Sequence, residues 1–465
     1  MNKEILRLAI PNILSNISVP LITSFDTVLM GGLSGNHIAA VGLGGMAFNF
    51  VYWNFGFLRM STTGLTARAF GAEDKAAQMA TLARAALLAA AISVLLILLQ
   101  YPFAELTHLL LNLREEQVGM VDDYFYIRIL AAPAALLQMV LFGWFFGRQN
   151  SVFPLILTLI VNAGNMALSW YLVKSQGWGI GGVAWGTVAA QYMGLGFGLV
   201  LWWWECRRGG LRFEKLSLNL RQRLKKGSTR DFAENSTQEN NTPALREFLS
   251  VNRDIFLRTL FLTLSFAFFY NRANALDVGT AVVAANVILL QLVNWLSYGI
   301  DGFAFAAESL VGKYSGANKP KELNRVIWLI FVWGMAFAGL YAVVYAVGNI
   351  NILRLFAPEN TAPETLEAAV YYLPIVVAFC VAAAPCYLVD GIYIGLTAAR
   401  AMRQTMLLAF AGYLLSYYLV GRHYENWGLW GSLLAFMVLR ALIQYWWLYT
   451  GRVGLTAQKT NRLKD

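Results

Sequence analysis

Runs of about twenty mostly apolar residues, parted by short polar breaks, recur along the whole chain. An α-helix rises 1.5 Å per residue, so about 20 such residues cross the roughly 30 Å of hydrocarbon in a bilayer. The pattern predicts twelve spans, six before a polar stretch and six after it. The first six cover residues 8–30, 38–58, 79–101, 124–147, 153–173 and 181–204. The second six cover 255–276, 281–304, 326–347, 368–395, 405–421 and 429–450. The fold class that follows is an all-α membrane protein with twelve transmembrane helices.

Composition agrees with the pattern. Of 465 residues, 58% are hydrophobic and 13% charged, which excludes an ordinary soluble domain. The charged leader "MNKEILR" ahead of an apolar run could suggest a secretory signal. That run is too long, however, contains Pro11, Pro20 and Asp26, and lacks a small-residue cleavage site. It reads as the first span. Cys206, Cys380 and Cys386 show no paired or metal-like spacing, so neither a disulfide framework nor a zinc site is expected.

In a membrane protein the placement of Lys and Arg matters more than the net charge of +10. With the amino terminus inside, 29 of the 36 basic residues fall on inner segments and four on outer ones. Arg128, Arg272 and Arg440 fall within spans. Both termini are therefore expected in the cytoplasm of a cell with an inner (plasma) membrane, and the basic surplus faces membrane lipids rather than nucleic acid. The polar stretch contains "STRDFAENSTQENNTP", has almost nothing apolar to pack, and reads as a linker.

The two groups of six are copies. "GLTARAFGAED" from Gly64 matches "SLVGKYSGANK" from Ser309 at an offset of 245. "GWFFG" from Gly143 matches "GIYIG" from Gly391 at 248, and "WGIGG" from Trp178 matches "WGLWG" from Trp427 at 249. Six spans is an even number, so both copies enter from the same face and are parallel repeats, an arrangement typical of secondary transporters. The domains expected are a six-helix lobe over 1–206, a cytoplasmic linker over 207–250, and a second lobe over 251–465.

At these motifs the chain resembles the multidrug and toxic compound extrusion (MATE) family, in its DNA-damage-inducible F branch. The resemblance covers nearly the whole chain and is carried by "SFDTVLMGGL", "FLRMSTTGLTARAFGA", "NRDIFLRT", "YGIDGFAFAAESLVGKYSGA" and "DGIYIGLTAARAMR". It implies two six-helix lobes and export of bulky, often cationic amphiphiles in exchange for H⁺ or Na⁺. No other cofactor is expected, nor an enzymatic role, and the chain is expected to act as a monomer.

Asp26 stands in an otherwise apolar or hydroxylic run, where an acid costs roughly 2.5 to 3.5 kcal/mol at a helix centre and usually faces a cavity or partner. The family's coupling carboxylate falls on it by motif. In span 5, Asn162 and Asn165 are candidate partners. The family commonly carries Asp or Asn four residues after Asn162, but this chain has Met166, which favours H⁺ over Na⁺. Asn165, three residues on from Asn162, points to a neighbouring face of the helix. Asp301, Glu308 and Asp390 in the second lobe are candidates for a substrate or gate site, or for holding basic groups near the cytoplasmic end. A phosphate-binding loop is missing around "GKYS", which argues against an ATP-driven pump. A flippase of lipid-linked substrates is the nearest alternative, and a membrane-embedded enzyme the most distant.

Overall fold

The computed structural model describes residues 1–31, 35–111, 115–210, 245–276, 278–357 and 361–453. Several side chains inside the first two helices and around residues 106–117, that of Asp26 among them, lie outside the described set. So does most of the expected linker, 211–244. The described residues are helical, with no strand among them. The first half contains α1 (Asn2–Gly31), α2 (Gly35–Phe55), α3 (Phe57–Gly71), α4 (Lys75–Leu98), α5 (Gln100–Leu111), α6 (Glu115–Arg128), α7 (Ala132–Gly147), α8 (Val152–Trp170) and α9 (Gly179–Arg208). The second contains α10 (Leu245–Ala275), α11 (Thr280–Gly316), α12 (Pro320–Phe356), α13 (Pro363–Gly395), α14 (Ala399–Leu419) and α15 (Glu425–Tyr449).

Among the described residues nine helical segments are long and apolar enough to cross a membrane, and they fall on predicted spans 3 to 6 and 8 to 12. The other three predicted spans fall on α1, on α2 with α3, and on α10. Span 2 is one helix in the sequence reading. A turn at Gly56 divides it, while its counterpart α11 runs unbroken for 37 residues. The pair α2–α3 and the single α11 nevertheless begin and end 245 positions apart, Gly35 to Thr280 and Gly71 to Gly316.

The repeat is visible in the helix ends. After Gly71 the chain closes with Asp74 N–H on Ala69 O (2.9 Å) and Glu73 N–H on Phe70 O (3.1 Å). After Gly316, Lys319 N–H reaches Tyr314 O (3.0 Å) and Asn318 N–H reaches Ser315 O (3.1 Å). These are Schellman closures, in which one residue past the helix takes the left-handed conformation so that the last carbonyls find donors. Glu73 (φ 57°) and Asn318 (φ 56°) fill that position, 245 apart. The same closure follows α7 and α13, with Gln149 (φ 66°) and Thr397 (φ 56°) in the left-handed position, 248 apart. Four non-glycine residues thus carry an unfavourable φ at equivalent places, as copies of one ancestral turn would.

Glycine pairs explain the "GxxxG" strings. A Cβ at Gly143 would strike the Arg59 carbonyl, and one at Gly391 the Ala304 carbonyl. A Cβ at Gly147 would stand 2.6 Å from Thr66 Cβ, and one at Gly395 2.8 Å from Val311 Cβ. In both repeats the absent side chains let two helices, α3 with α7 and α11 with α13, meet backbone to backbone. In lipid, where apolar burial gives little drive for helices to associate, such close contact supplies the attraction.

By packing, the chain divides into two units, Leu14–Ser250 and Met1–Ile13 with Val251–Asp465. The first thirteen residues, counted with the first lobe in the sequence reading, thus pack with the second. Gly302 on α11 lacks the Cβ that would strike Ile13 and stand 2.9 Å from Ala9 O. Glu4 accepts from Lys313 Nζ and Tyr314 Oη, each at 3.2 Å.

Two predictions follow from these contacts. Gly391→Ala drives a methyl into the Ala304 carbonyl and should destabilise by about 1–3 kcal/mol, whereas Gly339→Ala, with open space around it, should leave the thermal midpoint in detergent unchanged or slightly raised. Burial pushes the Glu4 carboxyl up, but the hydrogen bond and charge of Lys313 and the bond from Tyr314 outweigh it and hold the group below its ordinary value of 4.5. A lowered folded-state pKa adds stability above that value and loses it as the pH falls through the folded one. The midpoint difference between the native chain and Glu4→Gln should therefore be present at neutral pH and fade on acidification below about pH 4.5.

Candidate functional site

Each unit contains a polar seam between apolar helices, and the two differ in charge. In the Leu14–Ser250 unit, Ser15 and Ser18 stand one turn apart on α1, opposite Thr158 and Asn162 one turn apart on α8. Ser15 Oγ donates to Thr158 Oγ1 (2.9 Å), and Asn162 Nδ2 donates to Ser18 Oγ (2.8 Å). Asn165 turns to the next face and donates to Thr187 Oγ1 of α9 at 2.7 Å, while its buried Oδ1 has no hydrogen-bond partner among the described residues. Between α7 and α9, Gln138 donates to the backbone and side-chain oxygens of Gln191 at 2.7 and 2.8 Å. Every one of these groups is neutral.

Asp26 lies on α1 eight residues beyond Ser18, about 12 Å along the axis. Its side chain is outside the described residues. Asn162 and Asn165, read from the sequence as its partners, each give an amide proton elsewhere, one to Ser18 on the same helix and the other to Thr187.

The other unit concentrates charge. Asp390 on α13 is buried, and its Oδ2 accepts from both Arg258 of α10 and Arg440 of α15, while Gln444 donates to Oδ1 at 2.6 Å. Arg440 is fully buried and also lies 5.8 Å from the ring centroid of Tyr387, whose hydroxyl pairs with Ser297 at 2.9 Å. Asp301 on α11 is close enough to Arg258 and Tyr387 to act on them electrostatically. Glu308, also on α11, is buried with its carbonyl against Gly395. Among the substrate or gate candidates, then, Asp390 and Asp301 share one cluster. Glu308 belongs to the glycine contact one helical turn or more beyond it.

Arg258 belongs to this buried cluster. The count by membrane side placed it with the cytoplasmic residues because it stands three positions inside the predicted start of span 7. Only 5% of it is exposed, and its guanidinium is committed to Asp390. The signals available were the Arg440 and Gln444 pair, one turn apart in an apolar helix, and the "NRDIFLRT" string that contains Arg258. Neither names Asp390 as the shared acceptor, because that contact joins three helices far apart in sequence. At the cytoplasmic end expected for α10, buried Asp254 accepts from the half-buried Arg403 at 2.7 Å and the exposed Arg253 at 3.1 Å.

An all-helical, twice-repeated membrane fold with polar seams inside each unit is the architecture of a membrane transporter. The chain belongs to the MatE family, whose model matches residues 11–171 and again 255–420, one match on each repeat. Members of this family are transporters rather than enzymes. The chain is 33% identical over 446 residues to DNA damage-inducible protein F of Escherichia coli K12, covering 95% of this chain and 90% of that protein. It is 23% identical to the chloroplastic Protein DETOXIFICATION 44 of Arabidopsis thaliana, covering 96% and 82%. Among solved structures it resembles a MOP superfamily transporter from Pyrococcus furiosus, with a TM-score of 0.81 at 18% identity, over 98% of this chain and 96% of that one. An outward-facing multidrug resistance MATE transporter gives a TM-score of 0.79 at 18% identity, over the same shares. At such identity these structures establish the shared fold.

Removing the acceptor of the charged cluster should be costly. Asp390→Ala leaves two buried guanidiniums facing each other and should lower stability by about 3–5 kcal/mol, read as a fall in the thermal midpoint of the purified protein. Asn162→Ala removes one neutral bond and should cost about 1 kcal/mol in the same measurement.

Proposed function

We propose that this chain is a secondary active antiporter of the inner membrane that exports bulky amphiphilic, often cationic organic compounds in exchange for H⁺, with Asp26 as the proton carrier. The observation that carries this reading is a carboxylate on the first helix of a MatE-family chain, on a helix whose described partners across α8 are all hydroxyls and amides. A proton carrier must be stable both with and without its charge. Neutral, adaptable hydrogen-bonding partners permit that, whereas a fixed cation favours one form. Asp390 is committed to two guanidiniums and is the less suited of the two acids. Two parallel repeats supply the elements whose relative movement would expose a site alternately to either face. The sidedness of Lys and Arg supports an orientation with both termini in the cytoplasm.

The test is uptake of a fluorescent organic cation into inverted membrane vesicles under an imposed pH gradient or an imposed Na⁺ gradient. The native chain should drive uptake with the pH gradient alone, and Asp26→Asn should reduce it to the level of vesicles lacking the protein. Uptake driven only by Na⁺ would overturn the choice of ion, and full activity of Asp26→Asn would remove that residue from the coupling step.

A further inference from the structure

The Arg258–Asp390–Arg440 cluster contains more than a tie between helices requires. The sister repeat joins the corresponding helices, α7 and α9, with the uncharged Gln138–Gln191 pair, and Arg440 stands 249 positions after Gln191, the offset that relates Trp178 to Trp427. At this level the sister seam uses a neutral bridge, and its charged pair, Arg148 with Glu205, stands at the end of α7. Two guanidiniums, 5% and 0% exposed, are a costly replacement, because buried ions lose hydration that a single carboxylate restores only in part.

Hydrogen-bond accounting points the same way. Each guanidinium has five N–H donors. Arg258 directs one nitrogen at Asp390 Oδ2, and Arg440 directs one at the same oxygen and another at Met437 Sδ, 3.8 Å away, a weak acceptor. The Nε of each arginine is buried and has no partner among the described residues. Asp390 already accepts three bonds, two at Oδ2 and one from Gln444 at Oδ1, so its carboxylate has room for at most about one more of the remaining donors. The two buried Nε donors stand beside one buried acceptor that also has no partner among the described residues, Gln444 Oε1, and the site as a whole has more N–H donors than bonded oxygens.

We propose that this cluster is an oxyanion-binding subsite that receives the negatively charged head, carboxylate or phosphate, of an amphiphile, with Arg258 as its principal ligand. Arginine suits the role because its planar fork donates two parallel bonds to a carboxylate or phosphate. Asp390 and Gln444 hold Arg440 in place, and Asp301 limits the net positive charge so that the site favours a head that also accepts several hydrogen bonds. The inference extends the transport reading and rests on it for the ligand's route of entry. It widens the substrate class from cations to molecules that carry an acidic group.

The experiment uses the purified full chain in a neutral detergent and two probes, a dansyl-labelled fatty carboxylate and the cationic dye rhodamine 6G, with binding followed by fluorescence anisotropy. The native protein should bind the carboxylate. Arg258→Gln, which leaves Asp390 paired with Arg440 and Gln444, should weaken that binding about tenfold while rhodamine binding stays within about twofold, which also verifies folding. Arg258→Lys should recover part of the loss. Dodecyl phosphate and an anionic phospholipid serve as competitors in separate arms: displacement by the first alone assigns a free amphiphile, and displacement by both a lipid headgroup. No carboxylate binding by the native chain, or equal binding by Arg258→Gln, would overturn the proposal and leave the cluster a permanent clasp. Because this readout needs no ion gradient, its failure is separable from failure of the proton-exchange reading.

Discussion

Two helices in each unit meet with no side chain between them, and much of the molecule follows from that contact. Gly143 and Gly147 on α7 lie against the backbone of α3, and Gly391 and Gly395 on α13 lie against that of α11. Close approach of this kind needs well-terminated helices, and the Schellman closures after Gly147 and Gly395 end α7 and α13 at the second glycine of each pair. The contact also fixes the place of the acid beside it. Asp390 immediately precedes Gly391, so its position relative to α11 is set by backbone packing rather than by its own bonds. With α11 held close on that side, Arg258 and Arg440 reach the carboxylate from α10 and α15.

Charge is the second constraint. An ion inside a membrane protein must bring its counter-ion, and the two units satisfy this differently. The unit over Leu14–Ser250 bridges α1 with α8 and α7 with α9 through amides and hydroxyls, whereas the other places two arginines on one aspartate. Elsewhere, bases are held by aromatic faces as well as by acids. Arg148 bonds Gln78 at 2.6 Å and Glu205 at 3.2 Å while lying 4.9 Å from the Trp144 ring centroid. Such combinations spread a guanidinium's charge over several weak partners and let it remain within an apolar bundle.

The membrane class and the repeat were legible in the letters because both depend on local pattern. Apolar runs of fixed length mark spans, and equal offsets between short glycine-bearing strings mark copies. The purpose of those strings was not legible, since a glycine's value lies in the backbone it admits, and that backbone belongs to a helix some eighty residues away. The burial of Arg258 was hidden for a related reason. Hydropathy locates a span's edge to within a turn, and a residue at that edge is buried or exposed according to whether a partner such as Asp390 faces it. Asn162, whose chemistry in sequence suggested Asp26, gives an amide proton to Ser18 two turns earlier, and its relation to the Asp26 side chain lies outside the described residues. The break at Gly56, absent from α11, likewise has no periodic signature.

Copies that keep their helix ends, glycine contacts and left-handed turns at constant offsets have kept what folding demands. Where single side chains diverge, the shared helical frame has accommodated both choices. Asp26 has Asn271 as its counterpart at an offset of 245, and Arg440 has Gln191 at 249. One repeat thus carries an acid where the other has an amide, and a base where the other has an amide. Arg440 is fully buried, and even paired with Asp390 it loses hydration that an amide such as Gln191 does not, so packing alone does not favour a base there. On the reading proposed above, exchange of a small cation for a larger charged molecule calls for two chemically distinct places, and Asp26 in one repeat with Arg258 and Arg440 in the other would supply them within the shared helical frame.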